Sequence, residues 1–272
     1  MDVINTLRQL GIEPEPKKDQ HFIVDDSILQ RIANQANLSQ DDTILEIGAG
    51  IGNLTQLIAH QVKKVIAVES DIRFEPMLRT LPANVEVHIE NALITTSPSP
   101  KKIHYKPYNK IVSNLPYSLC EALLHKWAFF SYDKAILLIP SRFIETIKTH
   151  PVFSSFYAPT ILFPVPRTSF YPEPKTESVV INLRKPPDPI ESHNSALFLR
   201  QYLYTHEDQK SKNGLREGII RYMHKVHDRT ITKNEARRII DASGIDPALL
   251  DSRPDNPDIY FAISSSLPKL LE

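Results

Sequence analysis

Asn114-Leu115-Pro116-Tyr117, directly after the apolar run Ile111-Val112-Ser113, offers residue types that suit one demanding reaction, alkylation of the exocyclic amine of a nucleobase. The lone pair of that nitrogen is delocalised into the ring, so it is a poor nucleophile. Acceptors for both of its protons favour a more tetrahedral, more nucleophilic nitrogen, and the effect counts where it is stronger in the transition state. The side-chain oxygen of Asn114 and the backbone carbonyl of Leu115 are such acceptors. Pro116 fixes its own φ and biases Leu115 toward extended backbone, which holds the carbonyl in place. Tyr117 then supplies a flat face on which an extruded base can stack. A strand-ending turn with a core tyrosine would produce the same four letters, so the rest of the chain has to decide.

Glycine is scarce, 7 in 272 residues, yet Gly48, Gly50 and Gly52 fall together in Leu45-Glu46-Ile47-Gly48-Ala49-Gly50-Ile51-Gly52. Such a loop lets the backbone approach a ligand with no Cβ in the way. The spacing is Glu-x-Gly-x-Gly-x-Gly, not the Gly-x-Gly-x-x-Gly that seats a pyrophosphate on a helix N-terminus. A cofactor without phosphates suits it better, and S-adenosylmethionine is one. Glu69 ends the apolar run Val65–Val68, about twenty residues after the glycines, where an acid can accept both hydroxyls of a ribose. Alone it would read as an exposed helix starter. Asn91, in Glu90-Asn91-Ala92-Leu93, can meet an adenine edge through its amide, or be a plain turn residue.

These residues need elements to hold them. Strand-like runs at Thr43–Ile47, Val65–Val68, Val85–Ile89, Lys110–Ser113, Ala135–Ile139, Ile161–Phe163 and Val179–Leu183 alternate with helical patterns. An early helix starts at Asp25 or Asp26 with Ile28, Leu29, Ile32, Ala33 and Ala36 on one face. The alternation predicts an α/β fold with a doubly wound, mostly parallel, seven-stranded sheet. The glycine loop, Glu69, Asn91 and Asn114 all fall at strand ends, where such sheets bind ligands. At Lys185-Pro186-Pro187-Asp188-Pro189 the composition shifts and helical patterns take over (Ala196–Leu203, Leu215–His224, Lys233–Ala242). The expected domains are therefore 1–187 and a smaller all-helical 188–272.

The formal net charge is zero, so any basic surface is local. One candidate lies between Arg200 and Arg238, which includes Lys210, Lys212, Arg216, Arg221, Lys225 and Arg229. It reads first as a solvated helical face and second as a phosphate-contacting one. The single Cys120 excludes an internal disulfide framework and suits a reducing cytosol. No apolar run reaches membrane-spanning length and Met1-Asp2-Val3 opens no signal peptide. The expectation is a soluble cytoplasmic protein, with no metal and no oligomer demanded by any motif.

From about Lys17 to Leu183 the chain resembles the rRNA adenine N6-dimethyltransferase family. Asp19-Gln20-His21-Phe22-Ile23-Val24-Asp25 is similar to the family's opening segment, in a form most like archaeal members. Glu46–Gly52 resembles its cofactor loop, and Ser113–Tyr117 its catalytic motif. Phe170-Tyr171-Pro172-Glu173-Pro174-Lys175-Thr176-Glu177-Ser178 resembles its Phe-x-Pro-x-Pro-Lys-Val-Asp-Ser segment. The resemblance implies a Rossmann-like methyltransferase sheet acting with S-adenosylmethionine on small-subunit ribosomal RNA or its precursor particle, with the helical domain contacting RNA or ribosome. It implies that Gln20, His21, Ile23, Gly48 and Gly50 serve the cofactor, with Glu69 on the ribose, Asn91 near the adenine and Asn114 beside the reacting methyl. Tyr117 and Phe170 would sandwich the target base. The chain departs from the family at Asn91, where Asp is usual, and at Ile139-Pro140-Ser141-Arg142-Phe143-Ile144-Glu145, a region that bears on target recognition. Two other readings stay beside this one: an assembly factor that binds pre-ribosomal RNA without turnover, and a methyltransferase with another rRNA target.

Overall fold

A computed structural model describes residues 2–95 and 108–271. The chain divides into two compact units, one of residues 1–145 and 159–184, the other of 146–158 and 185–272.

The strands are β1 (Phe22–Ile23), β2 (Thr43–Ile47), β3 (Lys64–Glu69), β4 (Val85–Ile89), β5 (Lys110–Asn114), β6 (Lys134–Pro140), β7 (Ala158–Val165), β8 (Phe170–Tyr171) and β9 (Ser178–Arg184). Seven form one sheet in the order β4-β3-β2-β5-β6-β9-β7. β4 through β6 run parallel, and β9 is antiparallel to β6. All seven are the strands expected from the sequence, extended at several ends. Ala135 to Pro140 is buried throughout, the continuous apolar pattern of a strand covered on both faces. β1 and β8 form a separate antiparallel pair, Phe22 opposite Tyr171 and Ile23 opposite Phe170, too short to leave a periodic signal.

The strand order reverses between β2 and β5, the place where doubly wound sheets open a ligand crevice. There the ladder stops early. β2 pairs with β3 through Ile47 and Val68, but with β5 only at Ile44–Lys110 and Leu45–Ile111. Beyond that point the Ser113 hydroxyl takes over, accepting from Ile47 N–H and donating to Ile47 C=O, both at 2.7 Å. A buried backbone pair that would otherwise be orphaned is thus satisfied while the strands diverge.

The helix Asp26–Gln35 is capped by Asp25, whose side chain accepts from Ser27 N–H, and buries Ile28, Leu29, Ile32 and Ala33. In the second unit the helices Ser195–Thr205, Ser211–His227, Lys233–Ala242 and Asp258–Ser266 pack together. Thr232 and Glu235 form a reciprocal cap at the start of the third. Residues 146–158, which the sequence boundary at 187 assigns to the first domain, group with these helices. Arg200 donates to Ser154 Oγ at 2.7 Å and Gln201 to the Ser155 carbonyl at 2.6 Å. Among the described residues no helix is long and apolar enough to cross a membrane, and no group of His, Cys, Asp or Glu is placed to hold a metal.

Candidate active site

At the carboxyl ends of β2, β3, β4 and β5 lies a cavity of about 440 Å³, lined by the glycine loop, Glu69, Asn91 and Asn114–Leu119. The segment Lys18–Ile23 closes its remaining side. Of the residues expected to act, Gln20, His21, Ile23, Gly48, Gly50, Glu69, Asn91, Asn114, Leu115 and Tyr117 all line it.

The glycine loop is shaped by close approach. Gly48 has φ +75°, and a Cβ there would lie 3.0 Å from Pro116 Cδ. Gly50 has φ +55°, and a Cβ would meet Phe22 Cε1 at 2.8 Å. Each glycine therefore admits a neighbouring element: the first the proline of the catalytic motif, the second β1. The Gly50 N–H donates to Glu69 Oε2, and Asp71 N–H to Glu69 Oε1, both at 2.8 Å. Burial pushes the Glu69 carboxyl up, while those backbone donors pull it back toward ionisation. Each oxygen keeps lone-pair capacity for a further donor.

Asp71 was not singled out by sequence. Hydrogen bonds from Arg73, then its N–H and the Gln20 amide, hold its carboxyl far below the usual carboxylate range. Gln20 spans the gap, its Nε2 donating to Asp71 Oδ2 and its Oε1 accepting from Glu15 N–H, each at 2.8 Å. Its side-chain amide is thus committed to the protein. Asn91 Oδ1 accepts from Leu93 N–H at 2.9 Å, leaving Nδ2 as donor.

On the other side, Asn114 Nδ2 donates to the His21 carbonyl at 3.1 Å. With its nitrogen so engaged, the amide's orientation is set and Oδ1 remains as acceptor. Leu115 N–H donates to the Leu138 carbonyl at 3.1 Å, and its side chain is buried, which fixes the peptide whose carbonyl follows. Pro116 sits at φ −56°, ψ 126°. The Tyr117 hydroxyl bonds to Ser178 Oγ at the start of β9, and burial raises the phenol above its ordinary range. Ser118 N–H donates to Asp19 Oδ2 at 2.8 Å.

Phe170 stands elsewhere. It is 3% exposed and packed in the hydrophobic core with Phe22 and Ile23. In β8 it pairs with Ile23 of β1, and its neighbour Tyr171, on the other side of the strand, is 39% exposed. The ring found beside Tyr117 is His21, nearly parallel at 25° with centroids 6.1 Å apart. The His21 Nδ1–H donates to the Pro172 carbonyl at 2.7 Å. Cys120 is buried, its thiol pushed up to about 12, as suits an inert packed residue.

Comparison with known proteins identifies the family. A family model described as ribosomal RNA adenine dimethylase matches residues 15–235. A relative from Methanosarcina acetivorans, named probable ribosomal RNA small subunit methyltransferase A, is 35% identical over 215 residues, 74% of this chain and 76% of that one. One from Thermotoga neapolitana, named ribosomal RNA small subunit methyltransferase A, is 31% identical over 230 residues, 79% of this chain and 85% of its own. Among solved structures, a dimethyladenosine transferase from Plasmodium falciparum superposes with TM-score 0.54 at 19% identity, covering 88% of this chain and 94% of that one. The 23S rRNA methyltransferase ErmE superposes with TM-score 0.53 at 20% identity, covering 90% and 99%. These two establish the fold; the family match, which spans most of the chain, establishes more. The chain belongs to the ribosomal RNA adenine dimethylase family.

Proposed function

We propose that the protein transfers methyl groups from S-adenosylmethionine to N6 of adenines in small-subunit ribosomal RNA, twice on each target base, in the cytoplasm where that RNA is assembled. The observation that supports it most is that Asn114, whose Nδ2 is engaged by the His21 carbonyl so that Oδ1 is left as acceptor, and Leu115 line one cavity with the glycine loop and Glu69. The residues fit the cofactor. The glycine loop lines the cavity, and Gly48 and Gly50 let Pro116 and Phe22, which line it too, approach closely. Glu69 offers a carboxylate to the ribose, and Asn91 Nδ2 a donor to the adenine edge. When bound, the cofactor supplies a methyl group on a positively charged sulfur, open to direct displacement.

The chain's own part is to orient. Asn114 Oδ1 and Leu115 O accept the two N6 protons, which localises the nitrogen lone pair. Their placement is settled beforehand by the His21 carbonyl and β6, so alignment is not lost to reorganisation. Tyr117 stacks on the base, its ring tethered by Ser178. The helical unit contacts RNA phosphates through Arg221, Lys225, Arg237 and Arg238. The rest of the basic run is matched by its own acids: Lys210 and Lys212 with Asp251, Arg216 and Lys233 with Glu217, Arg229 with Glu235.

Methyl transfer from labelled cofactor to unmethylated small subunits tests the reading, with Asn114→Ala as control. Cofactor binding without transfer to small subunits, large subunits or free rRNA would sink it in favour of a non-catalytic RNA binder.

A further inference from the structure

The segment that closes the last side of the cavity, Lys18–Ile23, is pinned to the two walls by unlike bonds. Toward the catalytic motif the pins are single hydrogen bonds. Asn114 Nδ2 donates to the His21 carbonyl at 3.1 Å, and Ser118 N–H to Asp19 Oδ2 at 2.8 Å. Toward β3 the pin is a charged cluster. Arg73 lays its Nε on Asp71 Oδ1 at 2.9 Å and its Nη2 on Glu15 Oε1 at 2.6 Å. Gln20 adds its own bond to Asp71. One guanidinium thus joins a carboxylate of the wall to a carboxylate just ahead of the segment. Glu15 also meets Lys18 at 2.8 Å, a local pair that ties nothing to the wall. The side chains of Arg73 and Glu15 are 36% and 42% exposed. An ion pair so open to water contributes little and is screened by salt.

Taking the methyltransferase reading as given, on which this rests, we infer that Arg73 latches a gate for the cofactor. The segment swings off the β3 wall while staying pinned at the catalytic motif. Arg73 is a positioning residue in this role, since it acts through Glu15 and Asp71 and does not itself line the cavity. The cluster sits beside the ribose acid, because the Asp71 N–H donates to Glu69 Oε1. Opening there uncovers the adenosine side and leaves Asn114 and Tyr117 in place. Two methyl transfers to one base require that spent cofactor leave and fresh cofactor enter. A gate on this wall permits the exchange while the base stays against the other.

Because protein groups alone make the latch, it resists passage in both directions. Removing it should raise the association and dissociation rates together and leave their ratio nearly unchanged. Surface plasmon resonance of S-adenosylhomocysteine on the immobilised full chain measures both rates. That ligand carries no net charge at neutral pH, so salt does not steer its approach. Arg73→Met should speed both rates by about three- to tenfold, the worth of two partly exposed ion pairs. In the wild type both rates should climb as salt is raised, and in Arg73→Met they should stay flat. Arg73→Lys, which keeps the charge, should recover part of the slow exchange and of the salt response. Faster dissociation with unchanged association would make Arg73 a binding residue and overturn the gate. Rates equal to those of the wild type would overturn it too. Either result leaves the methyltransferase reading intact, whereas a wild type that binds no S-adenosylhomocysteine overturns both. If Arg73→Met misfolds, Glu15→Gln weakens the same latch from the other side. It should speed both rates in the same manner, and unchanged rates there count against the gate.

Discussion

The two walls of the cavity are built from different materials. The wall of β2 and β3 presents backbone: the Gly50 and Asp71 amides converge on Glu69, and the glycine loop bends where side chains would clash. The wall of β5 presents side chains held by distant partners. Asn114 is held by the His21 carbonyl and Tyr117 by Ser178. A backbone wall binds by shape and tolerates little substitution. A side-chain wall can lose one function and keep its shape. The two should therefore fail in different ways when altered.

The largest expected effect is on the second wall. Asn114→Ala removes one of the two acceptors proposed for the amine, and by analogy with loss of a preorganised transition-state hydrogen bond it should cost about 10²–10³ in kcat. The cofactor dissociation constant, measured by calorimetry, should change little; a matching loss of affinity would merge the two walls into one unit. Tyr117→Ala comes next, with about 1–3 kcal/mol lost from binding of a target oligonucleotide, the range for a base–aromatic stack. A 2-aminopurine at the target position should report the lost stacking by its fluorescence. If cofactor affinity collapses instead, Tyr117 is a packing residue.

Gly48→Ala strikes both walls, because the new methyl meets Pro116 at 3.0 Å. Left-handed backbone alone costs about 1–2 kcal/mol for a non-glycine residue, so thermal unfolding should shift down and cofactor affinity and turnover should fall together. The smallest effect lies in the helical unit. Arg221→Ala with Lys225→Ala should flatten the salt dependence of RNA binding by roughly 0.7 per lost phosphate contact on single strands. Lys210→Ala with Lys212→Ala, which share the single carboxylate of Asp251, should flatten it less.

Much of the cavity's lining was legible in the sequence. Strand ends carry the ligand groups of a doubly wound sheet, so Glu69, Asn91 and Asn114 could be placed once the strands were recognised. What escaped was set by partners far away in sequence. Ser178 lies 61 positions from Tyr117 and Asp71 lies 51 from Gln20, and neither pairing leaves a local pattern. Phe170 lies in the core, outside the cavity lining, for a related reason. Its orientation follows from pairing in a two-residue strand, and a shift of one residue exchanges the buried and exposed rings. The grouping of 146–158 with the helices includes bonds from Arg200 and Gln201 to partners 46 positions away. The same holds for the basic run, whose acids sit at Glu217, Glu235 and Asp251.

Ser113 shows how narrow a margin this architecture leaves. Where β2 and β5 part company, a single hydroxyl stands in for two missing rungs. Alanine at that position would strand the Ile47 amide and carbonyl, and the sheet would recover them most directly by drawing the strands together. The width of the crevice is thus a property of one oxygen atom. A fully buried residue that does not line the cavity helps to set how far the strands beside it diverge.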